Sequence, residues 1–171
     1  MEHPVLMLGD TDAELVRDLT ALDDGNRLAD GDPVPERPRA VLAFADLRGE
    51  SRHQGKDRLR ALSAAALSET RRHRSVQHII FAVVLPPRLM GGFDRLASGL
   101  GARLHSDLVR DNARDVEVTF LDVSGCGSIP TLTERLLARC GDPAGAHGVV
   151  VLDWDDIRER SIASAARNEY L

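Results

Sequence analysis

Tyrosine is almost absent from this chain of 171 residues: the one Tyr is Tyr170, beside the C-terminal residue. A mechanism built on an internal Tyr, or on a Tyr/Lys pair, is thereby excluded. Lysine is as scarce. Lys and Arg together number 22, and the only Lys is Lys56. Aromatic residues make up 4% of the chain. Both biases fit a GC-rich coding sequence and carry no mechanism. The two cysteines, Cys126 and Cys140, have neither metal-site nor CxxC spacing. They read as ordinary thiols of a reducing compartment. No apolar run approaches the roughly 18 residues of a membrane span, and no basic-then-apolar leader follows Met1. The expectation is a soluble, cytoplasmic protein with no membrane contact.

What is present points to one globular unit. The hydrophobic share is 43%, the charged share 29% and the formal net charge −5. An acidic balance argues against nucleic-acid binding. A chain of this length suits a single domain, 1–171, which buries roughly 70% of its unfolded surface.

Short apolar runs alternate with helical patterns. Val5 to Leu8 reads as a buried strand ending at Gly9-Asp10. Thr11-Asp12-Ala13-Glu14 offers a capping box for a helix carrying Leu15, Val16, Leu19 and Leu22. Residues 23–39, rich in Asp, Gly and Pro, read as a loop. Strands follow at Ala40–Ala45, His78–Leu85, Val116–Asp122 and Gly148–Asp153. Helices are expected over 56–73, over 93–112 with Leu96, Leu100, Leu104 and Leu108 at i, i+4 spacing, from Thr131 to near Gly141, and over 155–167. Residues 168–171 are expected to be a loose tail. Strand and helix in strict alternation predict an α/β fold: a shortened Rossmann-like three-layer sandwich with about five parallel strands.

Four strands end in carboxylates, Asp10, Asp46, Asp122 and Asp153, at the edge where open parallel sheets bind ligands. They could form a cation or acid/base site. Helix capping is the ordinary alternative. A phospho-acceptor receiver is disfavoured because Lys56 does not end a strand. His105, His78 and His147 read as structural. Gly125-Cys126-Gly127 reads as a turn, and Arg71 to Arg74 as a helix end matched to its dipole.

The second half resembles a short-chain dehydrogenase/reductase. LHSDLVRDNARDVEVTFLDV is similar to the stretch where that family's active-site helix runs out into its sixth strand. HGVVVLDWDD is similar to the family's last strand. The resemblance covers roughly 40–155 and implies a Rossmann-type sheet. Counted back from Val118, the positions of the family's catalytic Tyr and Lys fall on Phe93 and Ala97. Phe93 has no hydroxyl to donate or accept a proton, and Ala97 no ammonium. The place of the catalytic Ser reads Val84-Leu85-Pro86-Pro87, and that of the Asn-Asn-Ala-Gly motif reads Ala43-Phe44-Ala45-Asp46. The Gly-rich phosphate turn is reduced to Leu8-Gly9-Asp10-Thr11-Asp12, with two carboxylates where phosphates would lie. The span to the second strand is far shorter than the family's, so much of an adenosine pocket is missing.

The resemblance therefore implies a degenerate member with no cofactor: a non-catalytic subunit pairing with an active homologous reductase, or with itself, in acyl or polyketide-type biosynthesis. In the family the two long helices commonly form the subunit interface. The residues expected there are Leu59, Leu62, Ala66, Leu100, Gly101, Leu104 and Leu108. The alternatives are a cofactor-independent cyclase, dehydratase or isomerase using Asp46, Asp122 and Arg88 in a remodelled cleft, and a small-ligand binding module.

Overall fold

The computed structural model describes residues 4–21, 28–29, 37–87, 91–112, 115–144 and 148–169. The elements, in chain order, are β1 (Val5–Gly9), α1 (Glu14–Ala21), β2 (Leu28–Ala29), β3 (Ala40–Asp46), α2 (Arg52–Arg72), β4 (His78–Val84), α3 (Phe93–Asn112), β5 (Glu117–Asp122), α4 (Ile129–Gly141), β6 (Val149–Asp153), α5 (Trp154–Ile157) and α6 (Ile162–Glu169). All strands pair in parallel, in the order β2-β1-β3-β4-β5-β6.

Because side chains alternate across a strand, each strand feeds two cores. One face takes Val5, Met7, Leu42, Phe44, Ile80 and Leu121, covered by α1, α4 and α6. The other takes Val41, Ala43, Ile79, Phe81, Val118 and Phe120, covered by α2 and α3. There Phe81 stacks on Phe120 with ring centroids 4.3 Å apart, and Phe93 meets Phe120 edge-on at 6.4 Å. Near-continuous apolar strands are what a sheet buried on both faces requires. The result is the expected Rossmann-like three-layer sandwich, its five expected strands extended by the two-residue β2.

Several boundaries differ from expectation, each for a local reason. The stretch read as loop 23–39 contributes β2, which pairs with Val5 and Leu6. Helix α2 starts a turn before residue 56, because Ser51 and Gln54 form a reciprocal capping box. The cap of α4 is Ser128 rather than Thr131: its hydroxyl accepts from the Thr131 N–H, and Pro130 occupies the first turn. The helix expected over 155–167 is two helices, α5 opened by an Asp153/Asp156 capping box and α6 beyond Ser161. Helix α6 also runs to Glu169, into the stretch read as tail; residues 170–171 lie outside the described residues.

The long helices present the expected leucines inward. Leu59, Ala66, Leu104 and Leu108 are buried in the sheet-facing core, and Leu62 and Leu100 pack against it. Gly101 sits so close to β6 that a Cβ there would lie 2.4 Å from Val149 Cγ1. This corrects the expected interface: the periodic leucine stripe is the face each helix turns to its own sheet. The outer faces carry other residues.

Candidate functional site

In this strand order α1 leaves β1 toward one face and α2 leaves β3 toward the other. The crossover direction therefore reverses between β1 and β3, the kind of point where open α/β sheets take ligands beyond their carboxyl ends. Gly9 ends β1 with Asp10 directly after it, and Asp46 ends β3. Gly9 has φ +91°, and a Cβ there would lie 2.1 Å from the Phe44 carbonyl oxygen. Glycine alone permits that approach. The Asp10 N–H then donates to the same carbonyl at 3.1 Å, so the chain folds tightly over the end of β3.

The turn delivers the Asp10 carboxylate into a charge network. One oxygen accepts the Asp46 backbone N–H at 2.8 Å, and the other meets the Arg58 guanidinium from α2. Arg58 also binds Glu50. Arg48 grips Asp46 with Nε and Nη2, while its backbone N–H donates to the same carboxylate at 3.1 Å. The Arg48 side-chain hydrogen bond is the main cause holding the Asp46 carboxyl below its ordinary range, against the opposing effect of burial. Two ion-pair sets, Arg58 with Asp10 and Glu50 and Arg48 with Asp46, are thus joined through the Asp46 backbone. Behind them Ala13, Leu15, Val16, Phe44, Ala82 and Val84 line a crevice with about 30 Å³ of free volume, room for about one water.

No family model, no curated protein and no solved structure matches the chain. Function has to be argued from the site.

Asp122 and Asp46 do not converge. They flank β4, in register with Val83 and Val84 respectively, about 10 Å apart at the usual strand spacing. Asp122 accepts from the Ser124 hydroxyl and from its backbone N–H at 2.9 Å, and Ser124 Oγ accepts the Leu85 N–H at 2.6 Å. This carboxylate fastens the end of β5 to the end of β4. Asp153 caps α5. Both follow the capping and turn alternative. Arg88 and His147 lie outside the described residues. His105 Nδ1 bonds the Val116 carbonyl at 3.0 Å, and His78 Nε2 the Asp142 carbonyl at 2.8 Å; both are structural. Arg71 pairs with Asp111, joining α2 to α3. Cys140 is buried, and burial pushes the Cys126 thiol up, away from the reactive thiolate. Among the described residues no group of three His, Cys, Asp or Glu side chains could hold a metal, and no helix is long and apolar enough to cross a membrane.

Phe93 and Ala97 are 3% and 0% exposed. Phe93 forms one wall of a second crevice, between the first turns of α2 and α3, with Arg52, Lys56, Leu59, Leu85, Gly92 and Leu96. The strand-end carboxylates were legible from sequence. Arg58, Glu50, Arg52 and Lys56 were not, because only the adjacency of β1 to β3 and of α2 to α3 brings them in.

Proposed function

We propose that the chain is a non-catalytic, dehydrogenase-like subunit that pairs with an active homologous reductase, in acyl or polyketide-type biosynthesis. The observation that carries this reading is the paired charge at the switch point. Where a doubly wound sheet would seat a dinucleotide, Asp10, Arg58 and Asp46 bind one another; the crevice on the α1 side holds about 30 Å³, and the open recess of about 310 Å³ on the α2 side is walled by Leu8, Ala61, Leu62 and Ala65, with the already paired Arg58 as its charged group. A pyrophosphate would meet the Asp10 carboxylate instead of free N–H groups. The short-chain dehydrogenase/reductase likeness remains part of this proposal, resting on the order of elements and on Phe93 and Ala97 at the positions of the lost catalytic pair.

The separate charges of Asp46 and Asp122 weaken the remodelled-enzyme alternative, since acid/base chemistry needs groups within reach of one substrate. Docking falls to the outer faces of α2 and α3. Ala61, Ala64, Ala65, Ser98, Gly99 and Ala102 are exposed there, and Val109 is the exposed large hydrophobic among the described residues. Calorimetric titration with NADH and NADPH tests whether the paired charges exclude a dinucleotide. The expected result is no saturable heat, in the wild type and in the Phe93→Tyr/Ala97→Lys variant alike. Micromolar affinity, or cofactor-dependent reduction by that variant, would overturn the reading.

A further inference from the structure

Strand β6 closes one side of the sheet, and among the described residues no strand lies beyond it. It reads Val149-Val150-Val151-Leu152-Asp153. Edge strands are ordinarily blunted by Lys, Pro, a bulge or short length, because their outward N–H and C=O groups template pairing with another chain. The opposite edge uses the last of these devices: β2 has two residues. β6 uses none of them and pairs with β5 in unbroken register from Val149 to Asp153.

The ladder fixes which backbone groups turn outward. The Gly148 carbonyl accepts the Val118 N–H at 2.8 Å. Facing alternates along a parallel pair, so Val150 and Leu152 also turn their groups to β5, while Val149, Val151 and Asp153 turn theirs away. The Asp153 N–H is taken by the Asp156 carboxylate at 3.0 Å. Val151, at mid-strand, presents an outward N–H and C=O together. An antiparallel neighbour bonds such a residue through both groups at once.

Helices α3 and α6 rest on β6 from opposite faces. A Cβ on Gly101 of α3 would meet Val149, which places that turn over the start of the strand. The helix runs back along the strand, and two strand residues of about 3.3 Å each match roughly four helix residues of about 1.5 Å. Val151 is therefore level with Ala97 and Ser98. By helical phase, Asp94, Ser98 and Ala102 lie on the flank of α3 beside Gly101, and Asp111, which pairs with Arg71 of α2, lies on the other. All three are exposed.

We propose that β6 is a docking edge for a second copy of this chain, paired antiparallel about a two-fold axis at Val151. The spacing selects a copy over a foreign strand. α3 lies over both β5 and β6, so a strand separation of about 4.8 Å across the axis sets the two α3 axes about 10 Å apart, within the roughly 8–10 Å of packed helices. The small side chains Ser98 and Ala102 leave room for that approach. The antiparallel crossing puts Asp94 of one copy beside Ala102 of the other and keeps the two carboxylates apart. The edge measures about 17 Å of strand by about 30 Å of stacked layers. That is about 500 Å² per copy and about 1,000 Å² for the pair, the lower limit of a specific interface. Such a contact is isologous and closes on itself. The inference does not rest on pairing with a reductase, and it is read on the chain alone, so either can fail without the other.

Sedimentation equilibrium of the chain up to millimolar concentration tests it. The mass is expected to rise with concentration from 18.6 kDa to twice that value, and hydrogen exchange of the Val151 amide should slow in parallel. Val151→Pro removes the outward N–H and leaves the ladder to β5, at a position where edge strands accept proline. Ser98→Arg blocks the α3 flank without touching the strand, and carries the test if the proline variant does not fold. Each should weaken association at least tenfold. Ser68→Arg, at an exposed position of α2, should leave it unchanged. A mass that stays at 18.6 kDa at every concentration, wild-type association by Ser98→Arg, or an equal loss in Ser68→Arg would each overturn the proposal.

Discussion

Arg139 Nη2 lies 2.7 Å from Glu117 Oε2, and both side chains are 2% exposed. Glu117 opens β5 and Arg139 stands in the last turn of α4. His78, at the start of β4, places Nδ1 3.4 Å from the same carboxylate oxygen. Its Nε2 and the Arg39 guanidinium both bond the Asp142 carbonyl. The cluster pins the C-terminal end of α4 to the edge of the sheet opposite the candidate site. Removing one member of a buried ion pair leaves the other charge uncompensated, at a cost of about 3–5 kcal/mol. Glu117→Gln is expected to lose stability on that scale in urea denaturation. Glu117→Leu/Arg139→Met should recover most of it, since no buried charge of the pair is then stranded.

Gly9→Ala tests the tight turn that carries Asp10. The substitution places a methyl on the Phe44 carbonyl at a positive φ. The loss should exceed the roughly 1 kcal/mol of an ordinary Gly/Ala exchange. Chemical shifts of Asp10 and Asp46 should move together, because the Asp46 N–H bonds Asp10.

Gly101→Ala is expected to destabilise the monomer by about 1–3 kcal/mol through overpacking, since the added carbon meets Val149. The corresponding change at exposed Gly99, which has nothing within 4 Å of its Cβ position, should leave thermal stability at or above wild type, because Ala favours a helix over Gly. Equal losses at the two sites would contradict the inward orientation of α3.

The acid limb of stability follows from Asp46. Its folded-state pKa is depressed, first by the Arg48 side-chain hydrogen bond. Its contribution is therefore present above the ordinary carboxylate value and is lost as pH falls through the lowered one. The Arg48 side chain is 68% exposed, so solvent screens the pair and the effect on stability is small. Arg48→Ala should raise the Asp46 midpoint toward the ordinary carboxylate value in an NMR titration.

The layered fold was legible because each strand is a short apolar run and α3 repeats leucine at every fourth position. What periodicity leaves open is which neighbour a stripe faces. The leucines of α2 and α3 could serve a subunit interface as well as a sheet. The flat apolar face formed by Phe81, Val118 and Phe120 claims them first. Helix starts were misplaced where two candidate caps stood a turn apart, as with Ser128 and Thr131. The cluster of His78, Glu117 and Arg139 was not legible, because its members look like ordinary surface charges until β4, β5 and α4 are placed side by side. In the candidate site the strand-end carboxylates Asp10 and Asp46 could be read from the chain. Their partners Arg48 and Arg58 depend on the β1–β3 adjacency that the strand order supplies.

The proposed pairing with a homologous reductase is tested most directly by native mass measurement. The protein, 18.6 kDa alone, is co-expressed with candidate full-length reductases of the same genome, and the mass of the purified species is read. The account predicts a stable complex containing both chains, disrupted by Ala64→Glu on the outer face of α2 while the monomer keeps its melting temperature. A protein that keeps its own mass in the presence of the reductase would contradict it.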